Sequence, residues 1–378
     1  MTAVAPSILS AAPTSQPTLR PARLEDYPQI QRLEESLGLL TLSPADWRRV
    51  WQDNPAKRLL RNDFPIGWVL QDGAGRIVGS MANVPTLYTH RGRELVAATG
   101  RAWVVEPQYR GIALWLMDEY FAQSNVDLFI NTTVNGLAVD AFSAFGSQRV
   151  PIGDWENAAY FITNYSGFAR TALLIKNVPA ASALAPIAGA ALRLRYRSTA
   201  HRASGLVDVE TRNAFGTDFC AFWQELIRQN PDRVLANRDS KTMHWHFSPS
   251  LAVGQCWILV AESNGLMRAY AIFKRQDHPP SGLVRMRLVD YQSLDREHDF
   301  LPELLDAALK RCRRQRIHTL EHVGCGLPKM SSFDRTAPLR RKLPAWPFYY
   351  FARDAELMES LKSPDSWDPS NFDGDASL

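Results

Sequence analysis

Apolar residues recur along the chain in two rhythms, and their order predicts the elements. Thr18–Ala22 reads as a first strand. Leu24 to Leu37 places apolar side chains at 24, 27, 30, 33 and 37, the spacing of an amphipathic helix. A second helix begins at Pro44 with Ser43 as its N-cap and runs to about Trp51. Ile66–Gln71 and Ile77–Tyr88 flank the turn Asp72-Gly73-Ala74-Gly75 and predict a hairpin. After a turn at His90–Glu94, Leu95–Val105 is the next strand. Helical spacing of Leu114, Leu116, Met117, Tyr120 and Phe121 follows, then a strand at Val126–Thr132, a helix at Gly136–Phe145 and one or two closing strands within Val150–Thr163.

The second half repeats this order. Ala214–Gln229 is helical, Trp257–Ala261 and Met267–Lys274 form a hairpin around Ser263-Asn264-Gly265, and Leu283–Leu294 is a long strand. A helix at Pro302–Gln315, a strand at Ile317–Val323, a helix at Lys329–Arg341 and a last strand at Trp346–Ala352 complete it. Two mixed, mostly antiparallel sheets flanked by helices are expected, an α/β (α+β) fold in tandem.

The stretch Ala98–Ala122 carries the chemistry. A buried strand, Ala102-Trp103-Val104-Val105, ends at Glu106 and Pro107, and Gly111 and Ala113 stand at the start of the following helix. The first amides of a helix have no internal partner, and the helix dipole adds partial positive charge there. Small residues let an anion approach those amides, and Arg110 adds a full charge. The pattern suits a pyrophosphate cradle.

Gln108, Gly111 and Ala113 fill the acyl-CoA-binding signature Gln/Arg-x-x-Gly-x-Gly/Ala of the GNAT acyltransferase superfamily. Asn135, Ala138, Phe142 and Gly146 follow at the spacing of a second signature. The chain therefore resembles a tandem GNAT-like protein. The resemblance implies a leader at 1–17, an N-terminal GNAT domain at 18–165, a linker helix region at 166–204, a degenerate GNAT-like domain at 205–353 and a tail at 354–378. It also implies acetyl-CoA or another acyl-CoA as co-substrate. That donor would contact Val104, Val105, Gln108, Tyr109, Arg110, Gly111, Ile112, Ala113, Asn135 and Phe142, and would slip between splayed strands bearing Val104 and Ile130. In the second half the cradle position reads Asp295-Arg296-Glu297-His298-Asp299-Phe300, with no glycine and with carboxylates that repel a pyrophosphate.

Acyl transfer to an amine needs a base, an oxyanion donor and a way for the thiolate to leave. Main-chain N–H groups of Val104 and Val105 are the donors the resemblance implies. Glu106, at the strand end beside the cradle, is the first candidate base, and His90 the second. The family's usual acid is a Tyr, but Phe142 stands at that position; Tyr120 is the alternative, or water. Asn135 has two roles open, capping the next helix or lying near the pantetheine arm.

Composition narrows the setting. The chain has 378 residues, a net charge of +4 and four separated cysteines with no zinc-type spacing. Free thiols suit a reducing, cytoplasmic location, and no metal site is expected. Met1–Pro17 has neither the basic nor the apolar region of a signal peptide and reads as disordered. Ala180–Leu192 is small and apolar, then Arg193, Arg195 and Arg197 alternate with Leu194 and Tyr196. About 13 apolar residues are too few for a bilayer span. A linker helix, or a weak interfacial contact with anionic lipid, both remain open. His244-Trp245-His246 puts two imidazoles on one face if it is a strand. The basic runs Lys310–Arg316 and Arg340–Lys342 lack interleaved aromatics, so no nucleic-acid partner is expected.

The tail, with Trp367, Phe372 and Asp373-Gly374-Asp375, is expected to dock on the protein. It resembles tandem GNAT-like endings associated with bacterial surface polysaccharide synthesis, which points to an amino sugar, free or nucleotide-linked, as acceptor. The leading reading is an acyl-CoA-dependent N-acyltransferase (N-acetyltransferase). A non-catalytic scaffold on a worn GNAT fold and an aminoacyl-tRNA-dependent transferase are the alternatives.

Overall fold

Local chemistry sets the first elements. Ser43 Oγ accepts the Asp46 N–H at 3.0 Å and so caps the helix Pro44–Gln52. The turn at Asp72 is held by its carboxylate, which accepts the N–H groups of Ala74 and Arg76 at 3.0 and 2.9 Å. In the computed structural model, residues 16–60, 64–134, 136, 138–196, 207–343 and 348–378 are described. Asn135, residues 1–15 of the expected leader 1–17, Arg197 and Trp346 lie outside the described residues.

The strands are β1 (Thr18–Pro21), β2 (Gly67–Gln71), β3 (Ile77–His90), β4 (Arg93–Val105), β5 (Leu128–Asn131), β6 (Gln148–Arg149), β7 (Asp154–Ile162), β8 (Asp208–Arg212), β9 (Leu235–Ala236), β10 (Cys256–Ser263), β11 (Leu266–Arg275), β12 (Arg285–Ser293), β13 (Thr319–Cys325), β14 (Leu339–Lys342) and β15 (Tyr349–Ala352). They form two sheets of matching order. The first runs β1-β2-β3-β4-β5-β15-β6, with β9 added to β3; the second runs β14-β7-β13-β12-β11-β10-β8. Each contains one parallel pair, β4 with β5 and β12 with β13; the other pairs are antiparallel. The expected pair of mixed sheets flanked by helices is present.

The halves exchange a strand. β7, from the first half, pairs with β13, and β15, from the second, pairs with β5. Boundaries at 165 and 353 therefore do not enclose self-contained sheets. One core runs through both, from Leu95, Leu128 and Ile130 to Trp257, Phe273 and Leu304.

Three expectations change. Residues 240–252 form a helix, capped by Asp239 on the Thr242 N–H at 2.7 Å, so His244 and His246 point apart. Residues 329–341 are not one helix: Ser331–Thr336 ends before Pro338, and Leu339–Lys342 becomes β14 on the edge beside β7. The α-helix expected to open at Gly111 begins at Leu114, after a 3-10 segment at Pro107–Ile112. The linker region contains a helical hairpin, Tyr165–Ile175 and Ala181–Arg195.

Candidate active site

β4 and β5 pair only from Ala97 with Leu128 to Thr99 with Ile130. At the next step a side chain replaces the ladder: the Gly100 N–H donates to Asn131 Oδ1 at 3.2 Å. On its other edge Asn131, like the rest of β5, pairs with β15, opposite Tyr349. A Cβ on Gly100 would sit 2.7 Å from that oxygen and 2.8 Å from Met81 Cε, so the approach needs a glycine. Beyond this point a cleft of about 790 Å³ separates the strands.

A bulge shapes the β4 wall. Ser80 pairs with Val104 and Ala82 with Arg101, so Ala102 and Trp103 together oppose Met81. Ala102 has φ 51°, a left-handed conformation uncommon for a residue with a Cβ. Bulges free main-chain groups from the ladder and re-aim them, and here they sit in the cleft wall.

Of the residues expected around the donor, Val104, Val105, Arg110, Ala113 and Phe142 line the cleft. Gly111 is exposed on the turn, with nothing within 4 Å of where a Cβ would lie. Ile112 is half-buried behind it, Tyr109 is buried beneath the turn, and Gln108 turns outward, donating Nε2–H to Glu106 Oε2 at 2.8 Å. Asn131, four residues before Asn135, is at the cleft. It is buried in the cleft wall, and its Nδ2 has no protein partner among the described residues.

The three candidate acid–base residues are held elsewhere. Glu106 accepts from Arg76 Nη1 at 2.6 Å as well as from Gln108, and it is not in the cleft wall. Tyr120 is buried under the floor and donates to the Ala98 carbonyl at 2.9 Å; burial pushes its phenol far above the usual range. His90 sits at the opposite end of β3, where β3 and β4 turn. At ~3.3 Å per residue along β4 that is about 30 Å from the bulge.

A different carboxylate reaches the cleft. Asp375 lies in its wall, accepting Thr132 Oγ1–H at 2.9 Å and Thr133 Oγ1–H at 3.1 and 3.0 Å. Burial raises its pKa, and the nearby charge of Arg101 only partly opposes this. Arg101 also lines the cleft, and its Nη1 is buried without a protein partner among the described residues.

The path of the tail explains this placement. Trp367 and Phe372 are buried anchors, and Trp367 Nε1–H donates to the Leu361 carbonyl at 2.8 Å. β12 and β13 pair over only three residues and then diverge, as β4 and β5 do. The tail fills that gap: Asn371 Nδ2–H groups donate to the carbonyls of Leu288 and Val323 at 3.5 and 3.2 Å. Asp373 meets the buried Arg238, which also pairs with Asp290. Burial lifts Asp373 to about 6 despite Arg238, whereas Arg238 and its hydrogen bonds hold Asp290 at about 2. Gly374, at φ 81°, then turns the chain against Thr132, where a Cβ would lie 2.6 Å from the side chain. Asp375 emerges in the other cleft. The counterpart of the cradle, Asp295–Phe300, is closed on itself: Asp295 Oδ1 accepts the N–H groups of Glu297 and His298 at 2.9 Å each.

Among the described residues no group of His, Cys, Asp and Glu is placed to hold a metal ion, and no helix is long and apolar enough to cross a membrane.

No family model and no curated protein matches the chain. Solved structures do. The chain is similar to an Enterococcus faecalis protein described as a probable N-acyltransferase, at 9% identity over 89% of this chain and 73% of the other, TM-score 0.56. It is similar to Saccharomyces cerevisiae N-myristoyltransferase with bound myristoyl-CoA, at 10% identity over 92% and 81%, TM-score 0.54. A GCN5-related N-acetyltransferase from Kribbella flavida matches at 12% identity over 90% and 72%, TM-score 0.52. The fold is that of GNAT-type acyltransferases.

Proposed function

We propose that the chain is an acyl-CoA-dependent N-acyltransferase whose first-half cleft holds the donor and whose base is Asp375. The observation that carries this reading is the pairing of two features in one cavity: strands that part at Gly100 and Asn131, and a half-buried carboxylate delivered there by the tail. The three named neighbours, an N-acyltransferase, an N-acetyltransferase and an N-myristoyltransferase, support the reaction class.

The cavity suits such a donor. The open turn at Gly111, with Arg110 beside it, can take a pyrophosphate. Asn131 Nδ2 offers a buried donor to the amide-bearing arm. The bound acyl-CoA supplies a thioester carbonyl and a thiolate leaving group. Main-chain N–H groups of the bulge, from Ala102 to Val105, would stabilise the oxyanion. Asp375 takes the proton from the acceptor ammonium. The freed amine bonds to the carbonyl carbon, the C–S bond breaks, and the thiolate, with a pKa near ~8.5, leaves without a dedicated side-chain acid. This fits the absence of a hydroxyl at Phe142.

The second half would act as a wall for the acceptor, because its own gap is filled by Asn371. An amine on a small molecule or glycan, such as an amino sugar, remains the acceptor class we favour, in a bacterial, cytoplasmic setting linked to surface polysaccharide synthesis. The test is release of free thiol from acetyl-CoA and longer acyl-CoAs across a panel of amines. Thiol release that depends on an amine supports the assignment. A donor that binds but is never turned over would instead make the chain a binding protein.

A further inference from the structure

The hairpin Tyr165–Ile175 and Ala181–Arg195 is apolar on a face that should be polar. Its second helix packs on the first through Ala181, Ala185 and Gly189, which are buried and share one face at four-residue spacing. The contact is close: a Cβ on Gly189 would lie 2.9 Å from the main chain of Ser166. The opposite face should therefore carry charge. It carries Ala183, Ile187, Ala190 and Leu194, with Ile187 72% and Leu194 75% exposed. Leu184, Leu174 and Ile175 extend the exposed apolar surface to the hairpin tip.

The hairpin itself carries charge of one sign only. From Asn157 to Val207 the chain contains no Asp or Glu, while Arg170, Lys176, Arg193 and Arg195 are exposed on the hairpin. The end of the helix Leu301–Arg314 adds to it. Asn164, which caps the first hairpin helix, donates Nδ2–H to the Arg316 carbonyl at 3.1 Å, and Tyr165 feels the charges of both Arg313 and Arg193. Arg313, Arg314 and Arg316 are exposed there.

We propose that this hairpin docks the protein on an anionic lipid surface, the apolar face lying among the acyl-chain ends and the arginines meeting the headgroups. An amphipathic helix with basic flanks and an apolar face binds such an interface in plane, and basic side chains near it add attraction to anionic lipid. Acidic side chains, absent from the whole hairpin, would oppose it. A second copy of the chain would bring the same positive surface against itself, which makes it the poorer occupant.

The full chain should float with vesicles of phosphatidylcholine mixed with phosphatidylglycerol, and much less with phosphatidylcholine alone. Binding should weaken as salt rises. The double substitution I187D/L194D, at two exposed positions that leave the packed face intact, should lower vesicle affinity at least about tenfold. Arg193→Glu with Arg195→Glu should do the same by the other route. Circular dichroism and acyl-CoA binding should match the wild type in both variants. No binding to anionic vesicles at low salt overturns the proposal. So does binding that survives I187D/L194D, or a stable oligomer that these substitutions convert to a monomer. None of these outcomes bears on the donor cleft, so the two readings fail separately.

Discussion

Asp375 carries the account at the scale of a single residue. Its carboxylate is held by two threonine hydroxyls and lies half-buried in the cleft that the parted strands open. Asp375→Asn removes the base while keeping the shape, and kcat should fall about a hundredfold or more, read by initial rates. The sign of the pH dependence follows from the raised pKa. A base acts only when deprotonated, so the acidic limb of the rate profile should lie above the ordinary carboxylate range, and Asp375→Asn should abolish that limb. An unchanged limb in the variant would remove Asp375 from the chemistry. Little of this was legible in the sequence. Glu106 was the natural candidate because it follows the strand, but Arg76 and Gln108 hold it outside the cleft. Nothing in local spacing brings residue 375 beside residue 132. The Asp-Gly-Asp run was the only trace, and it signalled docking rather than a role.

The tail and the parted strand pairs belong to the scale of the element. Periodicity placed β1 to β4 and their helices well, because antiparallel strands joined by turn residues write their pattern locally. It misread 244–246 and 329–341, where an aspartate cap and a proline decided the outcome. Gly374 is the hinge of the tail's last step. Gly374→Val meets both a left-handed φ and the Thr132 side chain, which should cost about 1–3 kcal/mol locally and displace Asp375. The rate should fall about a hundredfold while donor affinity, measured separately, changes little. Equal losses in both would mean that the tail supports the whole cleft. Asp373 gives a stability signature. Its folded pKa of about 6 stands above the ordinary value of 3.8, so between these values the folded state holds a proton that the unfolded state has released. Stability from this group falls as pH rises from about 4 to about 6. Asp373→Asn does not titrate. In urea melts the wild type should therefore lose ground to the variant across that window, and a constant difference would contradict the shift.

Across the whole molecule the exchange of β7 and β15 binds the two halves together. The strand patterns at Val150–Thr163 and Trp346–Ala352 were visible in the sequence, but a strand's rhythm does not say which sheet it joins, so the tandem reading split the chain where the sheets interlock. One core spans both halves. Calorimetric unfolding should accordingly show one cooperative transition, and two well-separated transitions would contradict the interlocked fold. The same arrangement leaves one open gap and one filled by Asn371, which predicts a single donor site. The most direct test is calorimetric titration of the protein with acetyl-CoA, a long-chain acyl-CoA and free CoA, beside Gly111→Trp. The Cβ of that substitution enters open space, so circular dichroism should match the wild type. The wild type should show one site of about micromolar affinity, lost in the variant. No binding, two equal sites, or binding that Gly111→Trp leaves untouched would contradict the single donor site.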